Sequence, residues 1–329
     1  MRVAVDVMGG DYAPHEIIKG AVQAARTLGV TVCLVGDEAA IRRELGEYAK
    51  GASFSYEVAP TSQVVTFHDH PSEVLRTRKD SSLYKAIRSV ADGNCDAIVS
   101  AGNTGAQMAI SLFVLGRIQG VLRPGLIGAF PSTTGEPFYC MDVGAVADWT
   151  PENIVQFARM GQVYCNLVTG KETPTVGLLN IGEEAEKGSR QVVEAHELLA
   201  ASIPSFVGNI EPKEAFRHAV DVVVSDGYTG NIFLKTIEGT AEALFGMMKA
   251  ALGSSLKGRV GGALARSSLR GVKDRLDYSQ YGGVPLLGVK GISIVCHGRS
   301  NAAAMYHAIR VAKTISDQGL VTRLEALWK

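Results

Sequence analysis

Short apolar runs rich in β-branched residues alternate with amphipathic helical patterns along almost the whole chain. Such alternation is typical of a mainly parallel sheet covered by helices on both faces, so we expect a three-layer α/β/α fold. Two neighbouring runs, Leu126–Phe130 and Phe138–Met141, lie close together and predict a local antiparallel hairpin. The other predicted strands are Val3–Val7, Val32–Val35, Ser53–Val58, Ala97–Ser100, Thr175–Leu179, Ser205–Val207, Val220–Ser225 and Ile292–Cys296.

Helix-start signals follow several of these strands. Asp37 is placed to cap a helix over Glu38–Tyr48. Thr150 and Pro151 combine a capping hydroxyl with a proline in the first turn, which predicts a second helix start. No linker composition or internal repeat is visible, so we expect residues 1–329 to form a single unit.

One segment, Met247–Leu276, departs from this alternation because it is strongly basic and amphipathic, with Asp274 as its only acid. Gly258, Gly261 and Gly262 interrupt its pattern, so we expect a protruding helical hairpin rather than one long rod. Such a hairpin suits anionic lipid or an acidic protein; the alternative is an ordinary helix pair packed on the core or on a second subunit. The predicted contact residues are Leu252, Leu256, Lys257, Arg259, Leu264 and Arg266.

Polar, glycine-containing loops follow four of the predicted strands. The loops are Met8–Asp11, Ser100–Gly105, Asn180–Glu184 and Asp226–Asn231. Each offers backbone N–H groups to an anion at the point where a strand ends and a helix begins. Because open α/β sheets bind ligands at the carboxyl ends of their strands, we expect one composite pocket for an anionic, phosphate-bearing ligand.

Residue chemistry singles out candidates in and beside these loops. Uncharged donors suit a phosphate or an oxyanion, an ammonium group suits phosphate, and a histidine suits proton transfer. The predicted catalytic residues are Asn103, Lys187, Asn231 and His297. The predicted substrate-binding residues are Gly9, Gly10, Asp11, Thr104, Asn180, Asp226, Thr229 and Gly230. The alternatives are structural: capped helix starts, a salt bridge at Lys187 and a hydrogen-bonded loop histidine.

Composition narrows the class of protein. Lys and Arg total 33, as do Asp and Glu, so no overall charge favours nucleic acid. The five cysteines are widely spaced, and we expect reduced thiols in a cytoplasmic protein. Asp142 and Asp148 flank a glycine turn, but no clustered histidine completes a metal shell, so we expect neither a metal nor another cofactor. No leader is visible before Arg2–Val7 and no run reaches about 20 apolar residues, so we expect any membrane contact to be peripheral.

Five segments together resemble the bacterial phosphate acyltransferase (PlsX) family, in order and over almost the whole chain. They are Asp6-Val-Met-Gly-Gly-Asp11, Ser100-Ala-Gly-Asn-Thr-Gly-Ala106, Gly177-Leu-Leu-Asn-Ile-Gly-Glu183, Ser225-Asp-Gly-Tyr-Thr-Gly-Asn231 and Tyr281-Gly-Gly-Val-Pro-Leu-Leu-Gly288. Gly230-Asn231-Ile232 with Lys235 is also similar to a stretch of the phosphate acetyl- and butyryltransferases. The resemblance implies the sheet architecture that these enzymes share with isopropylmalate dehydrogenases.

The resemblance also implies a reaction in which fatty acyl-[acyl carrier protein] and inorganic phosphate give acyl phosphate and free carrier protein for phospholipid synthesis. It implies a homodimer, peripheral contact with an anionic membrane at its cytoplasmic face, and a downstream glycerol-3-phosphate acyltransferase. Since phosphate is itself the nucleophile, no serine or cysteine intermediate is needed, and positioning and electrostatics supply most of the rate. Lys187 is then the candidate for phosphate charge, Asn103 and Asn231 for oxyanion or phosphate contacts, and His297 for proton shuttling.

Two positions depart from the family pattern. Val146 stands where the family usually has asparagine, and it has no hydrogen-bonding side chain, which argues against a catalytic role for that loop. Thr77 stands where the family often has a base. One alternative function is a short-chain acyl-CoA:phosphate transferase, which would lack an apolar tunnel for a long chain. Another is a non-catalytic membrane-associated scaffold, which has no need for four anion-accepting loops.

Overall fold

The computed structural model describes residues 1–48, 53–267, 269, 271–272 and 282–329 of the chain. These residues form one sheet of 11 strands with helices packed against it. The strands are β1 (Arg2–Asp6), β2 (Thr31–Gly36), β3 (Tyr56–Pro60), β4 (Ala97–Ser100), β5 (Gly125–Phe130), β6 (Phe138–Met141), β7 (Val176–Leu179), β8 (Phe206–Ile210), β9 (Val222–Val224), β10 (Val284–Leu287) and β11 (Ile292–Val295). The helices are α1 (His15–Leu28), α2 (Glu38–Tyr48), α3 (Pro71–Thr77), α4 (Ser82–Ala91), α5 (Thr104–Val114), α6 (Pro151–Thr169), α7 (Arg190–Ser202), α8 (Pro212–Phe216), α9 (Gly227–Gly253), α10 (Leu256–Leu264), α11 (Ala302–Asp317) and α12 (Leu320–Ala326).

The sheet consists of two parallel blocks that run in opposite directions. Its strand order is β3-β2-β1-β4-β11-β10-β5-β6-β9-β7-β8. The strands from β3 to β11 in this order form the first block, and β6, β9, β7 and β8 form the second. Antiparallel pairings of β10 with β11 and β5, and of β5 with β6, join the blocks. The carboxyl ends of the two blocks therefore lie at opposite edges of the sheet.

Helices cover both faces of the sheet because successive strand residues point to opposite sides. In β1, Val3 and Val5 belong to a buried cluster with residues of α1, α6 and α11. Ala4, between them, belongs to a second buried cluster with residues of α4 and α5. The predicted three-layer fold with a mainly parallel sheet and a local β5–β6 hairpin is therefore confirmed.

The predicted helix starts match the contacts at the ends of α2 and α6. The N–H of Ala40 donates to Asp37 Oδ1 at 2.7 Å, so Asp37 caps α2 as expected. Helix α6 begins at Pro151, and the N–H of Thr150 donates to Asn153 Oδ1 at 2.9 Å. These contacts occupy helix-end groups that would otherwise lack partners.

The sequence did not predict β10. A proline inside a short apolar run counts against a strand, and Pro285 lies in the middle of this one. In the structure β10 fills the space between the blocks, where Pro285 lies opposite Ile294 and Leu286 lies opposite Leu126. Long-range pairing thus outweighs the local signal here.

The predicted hairpin is formed by the end of α9 together with α10. The turn between them falls at Ser254 and Ser255, and Ser255 Oγ accepts the N–H of Gly258 at 3.0 Å. The prediction that the glycines interrupt the helix was therefore wrong. Gly258 instead lets α10 approach α9 closely, because a Cβ there would lie 2.6 Å from the carbonyl oxygen of Leu252. Residues 268, 270 and 273–276 of the predicted segment lie outside the described residues.

Within the ranges that the structure describes, no helix has both the length and the apolar character that crossing a bilayer requires.

Candidate active site

A cavity of 390 Å³, here called the central cavity, lies where the two blocks of the sheet meet. Strand β5 and the start of β10 contribute apolar residues to its wall. Polar side chains reach it from α5, from α9 and from the loop that follows β11. These side chains are Thr104, Asn231, Lys235, Glu238, His297 and Ser300. Residues distant in the sequence thus place hydrogen-bonding and charged groups against an apolar wall.

The first turn of α9 borders this cavity and is fixed by its own loop. The Asp226 side chain accepts the N–H groups of Tyr228 and Thr229, each at 2.9 Å, and so caps the helix. Gly230 has no room for a side chain, because a Cβ there would lie 1.9 Å from the carbonyl oxygen of Asp142. Asp226 and Gly230 therefore hold α9 in place, and Asn231 is the next residue along the helix.

Asp142 supports this turn from the other side. Its carboxylate is fully buried and accepts N–H groups of Leu126, Gly144, Ala145 and Val146 at 2.7–3.1 Å. Burial raises the pKa of Asp142 to about 6, although these four donors oppose the shift. The interaction at residue 146 uses the backbone, so a valine fits where the family usually has asparagine.

The loops after β1 and β4 pack directly against each other. A Cβ on Gly9 would lie 2.6 Å from Asp6 Oδ2 and 2.8 Å from the nitrogen of Gly102. Ser100 Oγ donates to Asp6 Oδ2 at 2.7 Å and accepts the N–H of Gly102 at 3.0 Å. Burial raises the pKa of Asp6, and its hydrogen bonds partly offset that shift. Buried polar groups thus fix both loops next to the central cavity.

The loop after β11 joins this group. The N–H of Asp11 donates to the carbonyl oxygen of Gly298 at 2.7 Å. His297 lines the central cavity, and its Nδ1 accepts the N–H of Arg299 at 3.0 Å, so the neutral ring carries its proton on Nε2. Burial lowers the pKa of His297, and the charge of Lys235 lowers it further.

Asn103 holds a neighbouring segment rather than lining the cavity. Its Oδ1 accepts the N–H of Ala106 at 3.0 Å and caps α5. Its Nδ2 donates to the carbonyl oxygens of Thr66 and Asp69 at 3.0 and 3.1 Å. Thr104, the next residue, is the one whose side chain lines the cavity. These contacts give Asn103 a positioning function.

A larger cavity of 1090 Å³, here called the outer cavity, lies on the other side of α9. Predicted residues Asn180, Asp226 and Thr229 line one part of it. Asn180 closes its own loop, since Oδ1 accepts the N–H of Ile181 at 2.8 Å and Nδ2 donates to the carbonyl oxygen of Lys187 at 3.0 Å. The Lys187 side chain is exposed and lines neither cavity.

The structure thus divides the predicted site residues into groups. The central cavity brings together Thr104, Asn231 and His297, and the outer cavity brings together Asn180, Asp226 and Thr229. Residues Gly9, Gly10, Asp11, Asn103, Lys187 and Gly230 line neither one. The expectation of one pocket for all four loops is not met, because the first turns of α9 separate the two cavities, with Thr229 on one side and Asn231 on the other.

The predicted contact residues of the hairpin lie away from both cavities, and most are exposed. Leu256 and Leu264 expose 79% and 81% of their surface. Lys257, Arg259 and Arg266 are exposed as well. Leu252 is half-buried, because it packs against Gly262 of α10. The hairpin therefore presents leucines and cations to the solvent together.

Comparison with known protein families identifies the family of this chain. The family model described as "Fatty acid synthesis protein" matches residues 1–323. The chain belongs to this family.

Relatives in the family share a name and nearly the full length of this chain. "Phosphate acyltransferase" of Pelotomaculum thermopropionicum is 46% identical over 95% of this chain and 91% of the relative. The protein of the same name from Moorella thermoacetica is 45% identical over 98% of this chain and 95% of the relative. The resemblance to the bacterial phosphate acyltransferases is confirmed.

Solved structures show the same fold at low sequence identity. A phosphotransacetylase from Streptococcus pyogenes matches with a TM-score of 0.63 and 15% identity, covering 97% of this chain and 94% of that one. A putative 4-hydroxythreonine-4-phosphate dehydrogenase from Salmonella typhimurium matches with a TM-score of 0.52 and 13% identity, covering 96% and 99%. The predicted likeness to acetyltransferases and dehydrogenases therefore holds at the level of the fold.

One charged residue of the central cavity was not among the site candidates of the sequence analysis. Lys235 lines the central cavity and makes an ion pair of 2.8 Å with Glu238. The sequence did indicate this position, because Lys235 follows Asn231 by four residues and therefore lies on the same face of the helix.

Possible metal ligands cluster at one place in the described part of the chain. The one group of three possible ligand atoms within 4.8 Å in the described ranges is His15, Glu44 and Glu47, on α1 and α2. His15 Nδ1 is 2.9 Å from Glu44 Oε2, and its ring also hydrogen-bonds the hydroxyl of Tyr48. This group lines neither cavity.

We therefore expect chelator to leave turnover unchanged. The measurement is the initial rate after treatment with EDTA and removal of the chelator, with untreated protein as control. Strong inhibition that a divalent ion reverses would show that a metal contributes to the reaction.

Proposed function

We propose that this protein transfers a fatty acyl group from acyl-[acyl carrier protein] to inorganic phosphate. Membership of the family and the name of its relatives support this activity. The observation that carries it is the central cavity, where Asn231, Lys235 and the start of α5 face an apolar wall. Such a site suits an anionic nucleophile and the reacting end of an apolar acyl chain.

The reaction balances without a residue of the protein as nucleophile. An oxygen of hydrogen phosphate attacks the thioester carbonyl carbon, the carbon–sulfur bond breaks, and acyl phosphate is formed. The proton of hydrogen phosphate ends on the thiol of the carrier protein. The protein's task is to hold phosphate beside the carbonyl group and to stabilise the oxyanion with fixed donors.

Within the central cavity, Asn231 and Thr104 are the proposed hydrogen-bond donors to phosphate or to the oxyanion. His297 is the proposed third polar group, either as a donor through Nε2 or as the predicted proton shuttle. Asn103 and Asp226 act by positioning α5 and α9, whose N-termini carry partial positive charge. The loop at Gly9–Asp11 supports them by packing on the loop after β4.

We assign the phosphate charge to Lys235 rather than to Lys187, because only Lys235 lines a cavity. Replacing Lys235 by Met should raise the KM for phosphate by about tenfold, the scale of one partly exposed charge-assisted hydrogen bond. The KM for acyl-carrier thioester should change far less. Initial rates over a range of phosphate concentrations measure both.

Lys187→Met is the matched comparison, since it removes the same charge from an exposed loop. A larger rise in the KM for phosphate in Lys187→Met than in Lys235→Met would reverse the assignment. It would return the phosphate charge to the residue that the sequence first indicated.

We further propose that the hairpin mediates peripheral contact with an anionic membrane, and that two copies of the chain form a homodimer. Exposed Leu256 and Leu264 beside Lys257, Arg259 and Arg266 support the first proposal. The product is amphiphilic, so docking at the bilayer shortens its transfer to a membrane glycerol-3-phosphate acyltransferase. The same cations suit the acidic acyl carrier protein.

The choice of thioester separates this function from its alternatives. We expect palmitoyl-[acyl carrier protein] to be used with a far higher kcat/KM than acetyl-CoA at equal phosphate concentration. A preference for acetyl-CoA would favour a short-chain transferase. The phosphotransacetylase from Streptococcus pyogenes shares the fold of this chain but is only 15% identical to it. No turnover of either thioester by folded protein would favour the scaffold.

A further inference from the structure

The outer cavity is larger than the central cavity, and the steps proposed above make no use of it. It has 1090 Å³ and lies between the ends of β7 and β9, α7 and one face of α9. We infer that this cavity binds the long acyl chain of the substrate, with the carbonyl end at the first turn of α9. This inference rests on the proposed acyl transfer.

Helix α9 gives the cavity its length and its apolar character. Its residues that line the cavity recur at three- and four-residue spacings from Thr229 to Leu244, so they form a continuous stripe. Fifteen residues of helix span about 22 Å. That is the length scale of an extended long-chain acyl group, and most of the remaining lining is apolar. Burying methylene groups in such a cavity is favourable because it removes them from water.

The two cavities lie on either side of the same helical turn. Thr229 faces the outer cavity and Asn231 faces the central cavity. At 390 Å³ the central cavity suits phosphate with the thioester carbonyl but is small for a complete long chain as well. A chain that lies in the outer cavity would bring its carbonyl end over the first turn of α9, next to the phosphate-binding residues.

The two ends of the outer cavity differ in polarity. Its inner end lies at the polar strand ends, with Asn180 and Asp226. Its outer end lies at Ala241 and Leu244, and Leu244 is within one helical turn of Met247, where the hairpin segment begins. The cavity therefore runs along α9 from the polar strand ends toward the hairpin. Its polar inner end and its long apolar lining match the carbonyl end and the tail of an acyl chain, which favours a substrate acyl chain as the occupant over a second copy of the chain.

Substrate chain length provides the test. Thr236 is exposed, lines the outer cavity and lies about 10 Å along α9 from Thr229. Thr236→Trp should block the cavity beyond that point, and kcat/KM for palmitoyl-[acyl carrier protein] should fall by about tenfold or more. The value for butyryl-[acyl carrier protein] should stay within about twofold of the unmodified protein, because a short chain ends before the obstruction.

Gly246→Trp is the matched control, since it adds the same ring to the same helix at an exposed position that lies off the stripe, lines neither cavity and leaves open space at its Cβ. It should leave both chain lengths unaffected. Equal loss for short and long chains in Thr236→Trp, or no loss for either, would overturn the assignment. A loss that accompanies a change in molecular mass by light scattering would identify a second copy as the occupant and would also overturn it.

A binding measurement separates this inference from the proposed reaction. The chain has two tryptophans, and Trp149 lines the outer cavity. In the Trp328→Phe protein, Trp149 is the single tryptophan. Palmitoyl-[acyl carrier protein] without phosphate should change its fluorescence. Free carrier protein should not change this fluorescence.

The two failures can be told apart. If the unmodified protein turns over palmitoyl thioester but the fluorescence of Trp149 does not change, the cavity assignment alone fails. If the unmodified protein shows no phosphate-dependent turnover, the proposed function fails.

Discussion

Replacing Asn231 by Ala should lower turnover by roughly 100-fold while leaving the fold intact. Asn231 lies on an exposed part of the first turns of α9 and lines the central cavity beside Lys235. The backbone that carries Asn231 is fixed by the Asp226 cap and by the close approach of Gly230 to Asp142 before substrate arrives. Losing one such preorganised donor raises the barrier by about 2.7 kcal/mol, the equivalent of that rate loss.

The measurement is kcat with palmitoyl-[acyl carrier protein] at saturating phosphate, together with circular dichroism and thermal unfolding. Asn94→Ala is the matched control, because Asn94 is an exposed asparagine in the turn between α4 and β4. Near-normal turnover by a well-folded Asn231→Ala protein would remove this residue from the site. A similar loss in Asn94→Ala would show that the effect is not specific to the cavity.

Replacing Leu256 and Leu264 together by Glu should abolish binding to anionic liposomes. Both side chains are largely exposed on α10, beside cations that would meet anionic head groups. Each basic side chain near such a surface contributes about 1 kcal/mol, and salt weakens that contribution. Two added carboxylates oppose the attraction and also remove the apolar anchor. Turnover of soluble substrate should change far less.

Co-sedimentation with vesicles of phosphatidylglycerol and phosphatidylcholine measures this effect at low and high salt. Leu122→Glu combined with Val207→Glu is the control, since it adds the same charge at two exposed apolar positions outside the hairpin. If the hairpin variant still co-sediments, the hairpin is not the anchor. If it loses a subunit by light scattering, its leucines belong to the interface between two copies.

The local features of the fold could be predicted from the sequence, whereas its long-range pairing could not. Capping by Asp37 and the β5–β6 hairpin depend on residues close in the chain, and both were predicted. The opposite directions of the two sheet blocks depend on β10, which joins β11 to β5 across large sequence separations. Its proline conceals it as a strand, so the change of direction between the two blocks was missed.

The sequence also predicted the site residues only in part. Asparagine and aspartate are common both as ligands and as helix caps, and the sequence cannot separate the two uses. The structure places Asn103 and Asp226 as caps, whereas Asn231 lies within α9 and lines a cavity. Lys187 was favoured because it follows a strand-end loop, yet its side chain remains at the surface. Only the fold shows that Lys235 has the better position.

The central claim is that phosphate itself attacks the acyl thioester. Its most direct test is incubation of the purified protein with palmitoyl-[acyl carrier protein], with and without inorganic phosphate. Free thiol is measured with a thiol reagent and palmitoyl phosphate by ³¹P NMR. We predict that thiol release depends on phosphate and that one palmitoyl phosphate appears for each thiol. Thiol release without phosphate, or with palmitate as the first product, would contradict the account.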